Sequence, residues 1–318
     1  MQTWRPYTTG YPALLGLAGA VWAGGTGTGR PAVAAAATAL GWLSGHYLGD
    51  WFDRKLDAIG KPQRPIPSGR LSADAALAGG VVCATASAVL VVAANWAILP
   101  LFLTTMAGIV GYSRVFKKRG LSGNVSRGAL AALAVVIGAM IARPEPPWSL
   151  LPVAAGLLLH DTASNLVGTV RDVDGDRAGG YRSVPVRHGV RHAVRLALAL
   201  YAGGLALVAS AAVWAPRDAA GQASLLAVAA GCGAAAFVPL LRSGPSIDAR
   251  SALRAHEVLV AERLVLAAAV LAGARGVVTA TLVLVPVLIF SLVTQRLMRA
   301  GHEFPTAPTA LVGKDPAA

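Results

Sequence analysis

The chain has 318 residues, of which 55% are hydrophobic and only 14% are charged, and its mean hydropathy is +0.59. A water-soluble globule of this length needs more polar surface, so the composition excludes that class and predicts an integral membrane protein. The net charge of +13 does not predict nucleic-acid binding, because the basic residues lie in short loops between apolar segments, as in membrane proteins generally.

Ten apolar segments reach or approach the length that a helix needs to cross a bilayer. In chain order they are 11–27, 31–49, 73–94, 96–113, 125–142, 149–170, 190–214, 222–241, 255–273 and 277–297. The predicted fold is an all-α polytopic membrane bundle with nine or ten transmembrane helices. Nine applies if segment 255–273, which contains Glu257, Glu262 and Arg263, lies along the membrane interface. These three charged residues are predicted to pair with one another along their own helix.

Basic residues predict the orientation of the segments. The loops after the second, fourth, sixth and eighth segments hold three to five basic residues each, whereas the intervening loops hold one Arg or none. The positive-inside rule places the basic loops in the cytoplasm, together with both chain termini.

Two clusters of aspartate repeat along the chain. Asp50, Asp53 and Asp57 follow the second segment, and Asp172 and Asp176 follow the sixth; each cluster precedes an Arg-x-x-Pro turn. Four helices separate the clusters, so both return to the same side of the membrane. One domain, 1–318, is therefore predicted to contain two four-helix halves around a central cavity. The halves are about 8–119 and 120–242, the C-terminal helices are 250–299, and the tail 304–318 is predicted to be disordered.

The spacing of the aspartates suits a metal site. Asp50, Asp53 and Asp57 are spaced i, i+3 and i+7, which places them on one helical face, and Asp172 and Asp176 form an i, i+4 pair. Stacked carboxylates repel each other unless a cation bridges them, and Mg²⁺ binds carboxylates together with phosphate oxygens. The alternative is that they are solvated acids neutralised by nearby Arg and Lys. Because the cluster is repeated, we predict that all five are metal-binding and catalytic.

Basic residues would complete such a site, because a metal-bound diphosphate leaving group still carries negative charge. Lys117, Arg64 and Arg182 are the predicted anion-binding residues, although the positive-inside rule also explains each of them. Further predicted substrate-binding residues are Lys61, Arg70, Tyr112, Asn124 and Asn165.

Several of these polar residues have a structural alternative. Asn124 is equally placed to cap the fifth helix, and Tyr112 equally fits an interfacial aromatic belt. The sixth segment contains three polar residues, His160, Asp161 and Asn165. Hydrogen bonding between helices explains them more simply than binding of an acceptor does.

The two motifs resemble those of the UbiA-type intramembrane prenyltransferases, Asn-Asp-x-x-Asp-x-x-x-Asp and Asp-x-x-x-Asp. Segment 57–72, which ends in Arg64-Pro-Ile-Pro-Ser-Gly-Arg70-Leu-Ser72, is similar to the branch with chlorophyll synthase and the archaeal lipid-ether prenyltransferases. Segment 176–186 resembles the second loop of the family. The chain departs from the family at Gly49, where the family has Asn, and in the spacing between Tyr112 and Lys117.

The resemblance implies Mg²⁺-dependent ionisation of a prenyl diphosphate in a lipid-accessible cavity. The prenyl group would pass to a hydrophobic, aromatic or lipid acceptor within the bilayer, with release of diphosphate on the cytoplasmic side. Two alternatives remain open: a terpene cyclase of the same fold, which needs no acceptor, and a transporter, whose acids would lie near the bilayer midplane.

Overall fold

The computed structural model describes residues 3–215, 217–243 and 247–303, and the predicted tail 304–318 lies outside these ranges. The described chain is helical, with no strand and one isolated bridge between Arg119 and Arg182. In order, the helices are α1 (Pro6–Trp22), α2 (Gly29–Gly60), α3 (Ala73–Ala94), α4 (Leu99–Arg114), α5 (Leu121–Ala142), α6 (Leu151–Arg171), α7 (Val173–Ala178), α8 (Val184–His188), α9 (Val190–Ser210), α10 (Ala219–Arg242), α11 (Ala249–Arg275) and α12 (Val277–Glu303).

Each predicted apolar segment overlaps one of the long helices in this part of the chain. Seven of these helices are long and apolar enough to cross a membrane: α3, α4 with its preceding turn, α5, α6, α9, α10 and α12. The other three long helices, α1, α2 and α11, are shorter or more polar. The described chain is thus a multi-pass membrane protein.

Helix α2 continues well past the predicted end of its apolar segment at residue 49. It runs without interruption for 32 residues, a rise of about 48 Å. Asp50, Asp53 and Asp57 therefore lie on one continuous helix, which is the condition under which their spacing places them on one face.

Helix α11 is the central helix of the bundle. It packs against α1, α6, α10 and α12, and its residues from Leu264 to Gly273 are all buried. In the described bundle it therefore does not lie along an outer surface. A helix in this position is shielded from lipid, so it can carry ionisable residues that face other helices.

The prediction that Glu257, Glu262 and Arg263 pair along α11 is wrong for the last two. Glu262 lies 2.7 Å from Nε2 of His160, and Arg263 lies 3.9 Å from a carboxylate oxygen of Asp161, both on α6. Adjacent residues of a helix point in different directions, so Glu262 and Arg263 cannot face each other.

Glycines allow α1 and α5 to approach each other closely. A Cβ at Gly138 would overlap with the backbone of Gly16, and one at Gly19 would overlap with the carbonyl of Val135. Small residues at such crossings let helix backbones touch, which is the main source of packing energy between membrane helices.

We predict that Gly138→Val destabilises the bundle, because the added side chain must push α1 and α5 apart. Overpacking of this kind costs about 1–3 kcal/mol. The midpoint of thermal unfolding in detergent should fall by roughly 2–10 °C. The control is Gly231→Val, since Gly231 lies on α10 with open space around its Cβ position. Equal midpoints for the two variants would contradict this account of the crossing.

Candidate active site

One cavity of about 420 Å³ opens among α1, α2, α4, α5, α6, α11 and α12. All five aspartates of the two repeated clusters line it: Asp50, Asp53, Asp57, Asp172 and Asp176. The end of α2 and the α6–α7 junction therefore face each other across a single space.

Each aspartate of α2 is held by a cation from a different part of the chain. The ion pairs are Asp50–Arg5 at 2.5 Å, Asp53–Lys117 at 2.7 Å and Asp57–Arg64 at 2.9 Å. The Arg64 Nη1 group donates to both carboxylate oxygens of Asp57. Burial opposes the charge on Lys117 and Arg64, but their aspartate partners outweigh burial and raise the pKa of both cations above its ordinary value.

The second cluster stands where α6 meets α7. Arg171 donates to both carboxylate oxygens of Asp172, at 2.9 and 2.6 Å, and Lys61 approaches the same carboxylate at 3.4 Å. Burial alone would raise the pKa of Asp172, but these two cations hold it well below its usual range. Asp176 forms no ion pair with any described residue, and burial raises its pKa.

Glu303, at the end of α12, is a further acid of this cavity that the sequence analysis missed. Its carboxylate lies 2.8 Å from Lys61, 3.0 Å from Arg171 and 3.8 Å from Arg64. Burial opposes its ionisation, yet the three cations lower the pKa of Glu303 well below its ordinary value. It therefore connects basic residues that follow α2 to one that ends α6. Glu303 belongs to no sequence motif. It also lies six residues beyond the end of the predicted apolar segment, on a part of α12 that was not predicted.

Arg5 and Arg171 were also missed. The position of Arg171, directly before Asp172, was the available signal, since a forked guanidinium can bind a neighbouring carboxylate through two hydrogen bonds. Arg5 precedes α1 and has no such local signal. It reaches the site only because α1 packs on α2.

The other predicted substrate-binding residues divide into two groups. Lys61, Arg64, Lys117, Tyr112 and Asn165 line the cavity, whereas Arg70, Arg182 and Asn124 do not. Arg70 and Arg182 are exposed, and Asn124 is buried. Arg70 contacts the carbonyl of Gln63 and the Ser68 hydroxyl instead.

Polar residues of α6 form hydrogen bonds between helices. Asn124 donates to the side-chain oxygen of Asn165 at 3.0 Å. Helix α5 begins at Leu121 with Gly120 before it, so Asn124 is not its cap.

The donor set fits a hard cation. Aspartate oxygens are the ligands that Mg²⁺ prefers, and Asp50 Oδ2 is buried without a hydrogen-bond partner among the residues described. No three Asp, Glu, His or Cys side chains in the described ranges stand close enough to surround one ion. The α2 aspartates do not converge because each forms an ion pair with a different cation.

Acids and bases of a helical membrane bundle converge on one cavity, and such a cavity suits a charged ligand. The sequence pattern of the UbiA prenyltransferase family matches residues 10–255. The chain belongs to this family and is a prenyltransferase.

Known relatives agree with this membership. The chain is 34% identical over 207 residues to digeranylgeranylglyceryl phosphate synthase of Halobacterium salinarum, covering 64% of this chain and 73% of the relative. A solved digeranylgeranylglyceryl phosphate synthase has a TM-score of 0.63 at 18% identity, covering 86% of this chain and 99% of that one. A UbiA homologue from Archaeoglobus fulgidus, solved with GPP and Mg²⁺, has a TM-score of 0.60 at 15% identity, covering 96% and 100%. At these identities the two structures show the fold.

We predict that Glu303→Gln lowers the free energy of unfolding by about 3 kcal/mol, because it leaves three clustered cations without their shared acid. The measurement is thermal or denaturant unfolding in detergent, and the control is Glu145→Gln at an exposed position.

The pH dependence of that difference has a definite sign. The folded pKa of Glu303 is depressed, so its contribution is complete above the unfolded pKa of about 4.3 and is lost as the pH falls through the lower folded value. The gap between wild type and Glu303→Gln should persist from pH 7 to about pH 5 and shrink below about pH 4. A gap that widens on acidification would contradict the ion-pair assignment.

Proposed function

We propose that this protein transfers a prenyl group from a prenyl diphosphate to a hydrophobic acceptor within the membrane, with Mg²⁺ as cofactor and release of diphosphate. The observation that carries the proposal is that aspartates of both motifs share one cavity with Lys61, Arg64, Lys117 and Arg171. The relatives named as digeranylgeranylglyceryl phosphate synthases, and the homologue solved with GPP and Mg²⁺, support it.

The five aspartates are the proposed metal ligands. Asp50 has a free buried oxygen and Asp176 has no cation partner within the described chain, so both have capacity for a metal ion. Asp53, Asp57 and Asp172 would each exchange a Lys or Arg partner for the metal ion. Magnesium, when bound, neutralises the diphosphate and so favours its departure.

The basic residues are the proposed binding groups for the diphosphate. Lys61, Arg64, Lys117 and Arg171 are paired with acids in this structure. With the aspartates engaged by metal, Lys117 would be available to donate to phosphate oxygens, and Lys61, Arg64 and Arg171 would keep only their contacts with Glu303 and so have free donors. They would stabilise the negative charge that grows on the leaving group as the carbon–oxygen bond breaks.

Apolar walls extend the cavity toward a place for the hydrocarbon chain. A smaller cavity of about 40 Å³ shares Ile109 and Leu130 with the main one. Its other lining residues are mostly apolar and include Phe102, Met106 and Ile137. The prenyl chain would leave the diphosphate site in this direction, between α2, α4 and α5.

We also propose how the helices cross the membrane. Helices α1, α2 and α11 would also cross the membrane, giving ten crossings in two four-helix halves with a C-terminal pair. The burial of α11 among other helices supports this, because hydropathy undercounts helices whose charges face inward. The basic loops that border the cavity would face the cytoplasm.

We predict that Ser68→Cys, in the exposed loop after α2, is labelled from the cytoplasmic side by a membrane-impermeant thiol reagent. Glu145→Cys, in the loop between α5 and α6, should be labelled from the opposite side. Both variants are made without Cys83 and Cys232, the two native cysteines. Labelling of both positions from one side would contradict the topology.

We predict that Asp53→Asn and Asp172→Asn each lower the rate of diphosphate release by on the order of 10²–10³-fold, because each removes charge that holds the metal and substrate. The assay incubates purified protein with Mg²⁺ and prenyl diphosphates of several chain lengths, and measures diphosphate. Asp74→Asn, at an exposed position in the first turn of α3, is the matched control.

Unchanged release in both site variants, or release that is insensitive to chelation of Mg²⁺, would overturn the proposal. Mass analysis of the lipid products in the same reaction separates the alternative activity. A cyclised hydrocarbon formed without any acceptor would make the protein a terpene cyclase of this fold.

A further inference from the structure

The last turns of α12 have a polar face that points into the protein. The buried polar side chains on this face are Ser291, Gln295, Arg299 and His302. Their spacing of three to four residues places them on one side of a helix. The opposite side is exposed and mostly apolar, with Leu292, Val293 and Leu297 among its residues. The polar side of this helix end borders the main cavity, which Arg299 and Glu303 line.

Glu303, the last residue of α12, lies between cations from two other parts of the chain. Its carboxylate is 2.8 Å from Lys61, 3.8 Å from Arg64 and 3.0 Å from Arg171. Only 10% of its side chain is exposed. The same three cations are proposed above to bind the diphosphate. The carboxylate therefore occupies the place of a phosphate oxygen, since both groups bind Lys and Arg through charged hydrogen bonds.

Binding of metal to the aspartates would not remove Glu303 from this place. Asp57 shares Arg64 with Glu303, and Asp172 shares Arg171 with it. If both aspartates turn toward a metal ion, Glu303 still contacts these cations. A carboxylate and a diphosphate at the same cations repel each other, and the diphosphate carries the larger charge. The two anions therefore compete, and the diphosphate is expected to displace the carboxylate.

The last turn of α12 has features that oppose its packing against the rest of the protein. Both ring nitrogens of His302 are buried without a hydrogen-bond partner among the residues described, which is unfavourable. Gly301 is exposed, with open space where its Cβ would be, and glycine weakens a helix. Gln63 donates to the carbonyl of His302 at 3.3 Å. The ion pairs of Glu303 are the strongest contacts described for this turn.

We infer that Glu303 is an internal competitor of the prenyl diphosphate. In this structure the last turn of α12 is docked, and its carboxylate closes the site formed by Lys61, Arg64 and Arg171. The diphosphate replaces the carboxylate there, and the turn moves away from these cations. This inference rests on the proposed function and adds a residue that sets the affinity for the diphosphate. Helix α12 follows residues 10–255, which the family pattern matches, and Glu303 lies outside both aspartate motifs.

The test is binding of inorganic pyrophosphate to purified protein in detergent, with Mg²⁺ present, measured by calorimetry. Glu303→Gln should bind pyrophosphate about 10- to 100-fold more tightly than wild type, which corresponds to a docked turn populated at about 90–99%. Glu303→Asp keeps the charge on a shorter side chain and should have an affinity between the two. The matched control is Asp74→Asn, which removes one negative charge at an exposed position of α3 and should bind like wild type.

Displacement of the helix end is measured on wild-type protein by hydrogen–deuterium exchange. Addition of pyrophosphate and Mg²⁺ should speed the exchange of backbone amides in a peptide that covers the last turns of α12, because the released turn opens more often. A peptide from the middle of α3 is the control and should show no change.

Equal or weaker binding by Glu303→Gln, no binding by either protein, or unchanged or slower exchange in α12 would overturn the inference. If Glu303→Gln does not fold, the exchange measurement on wild type decides alone. Release of diphosphate from a prenyl diphosphate is assayed separately on wild type. Release without tighter pyrophosphate binding by Glu303→Gln removes this inference and leaves the proposed function, whereas absence of release removes the proposed function.

Discussion

Charge pairing within one membrane-embedded cavity is the constraint on which the rest of this structure depends. Acidic and basic side chains from α2, α5, α6, α11, α12 and the chain before α1 line the same space. Buried charges without partners are costly, so the helices must meet in the arrangement that brings partners together. The ion pairs thus define which helices are neighbours around the cavity.

The same pairs also bear on how the site would bind a charged substrate. Each α2 aspartate has a cation in place, and Glu303 serves three cations at once. In the proposed function, a metal ion and a diphosphate, which carry opposite charges, would replace these internal partners together. Binding would then change partners without leaving a buried charge alone.

The central position of α11 has a comparable role in the interior. Its polar residues are buried against α6, where Glu262 contacts His160 and Arg263 faces Asp161. Apolar helices such as α3 and α12 face outward, with many exposed large hydrophobic residues. The apolar helices therefore provide the lipid-facing surface, and the ionisable groups of α11 face other helices.

The sequence alone determined the membrane class, the ten long helices, and the presence of all five aspartates at one cavity. These properties depend on features that can be read within or between neighbouring segments: apolar segment length, the i, i+3, i+7 spacing on α2, and the even number of long helices between the two motifs. Asp50, Asp53 and Asp57 could be placed on one face because a continuous helix has a regular period.

Only the tertiary structure decided which charges meet. Lys61 and Glu303 are 242 residues apart, and no local pattern connects them. The exposure of Arg70 and Arg182, and the α6 partners of Glu262 and Arg263, likewise follow from helix packing. Side-chain partners across the bundle depend on the rotation and crossing of whole helices, which residue spacing within one segment does not specify.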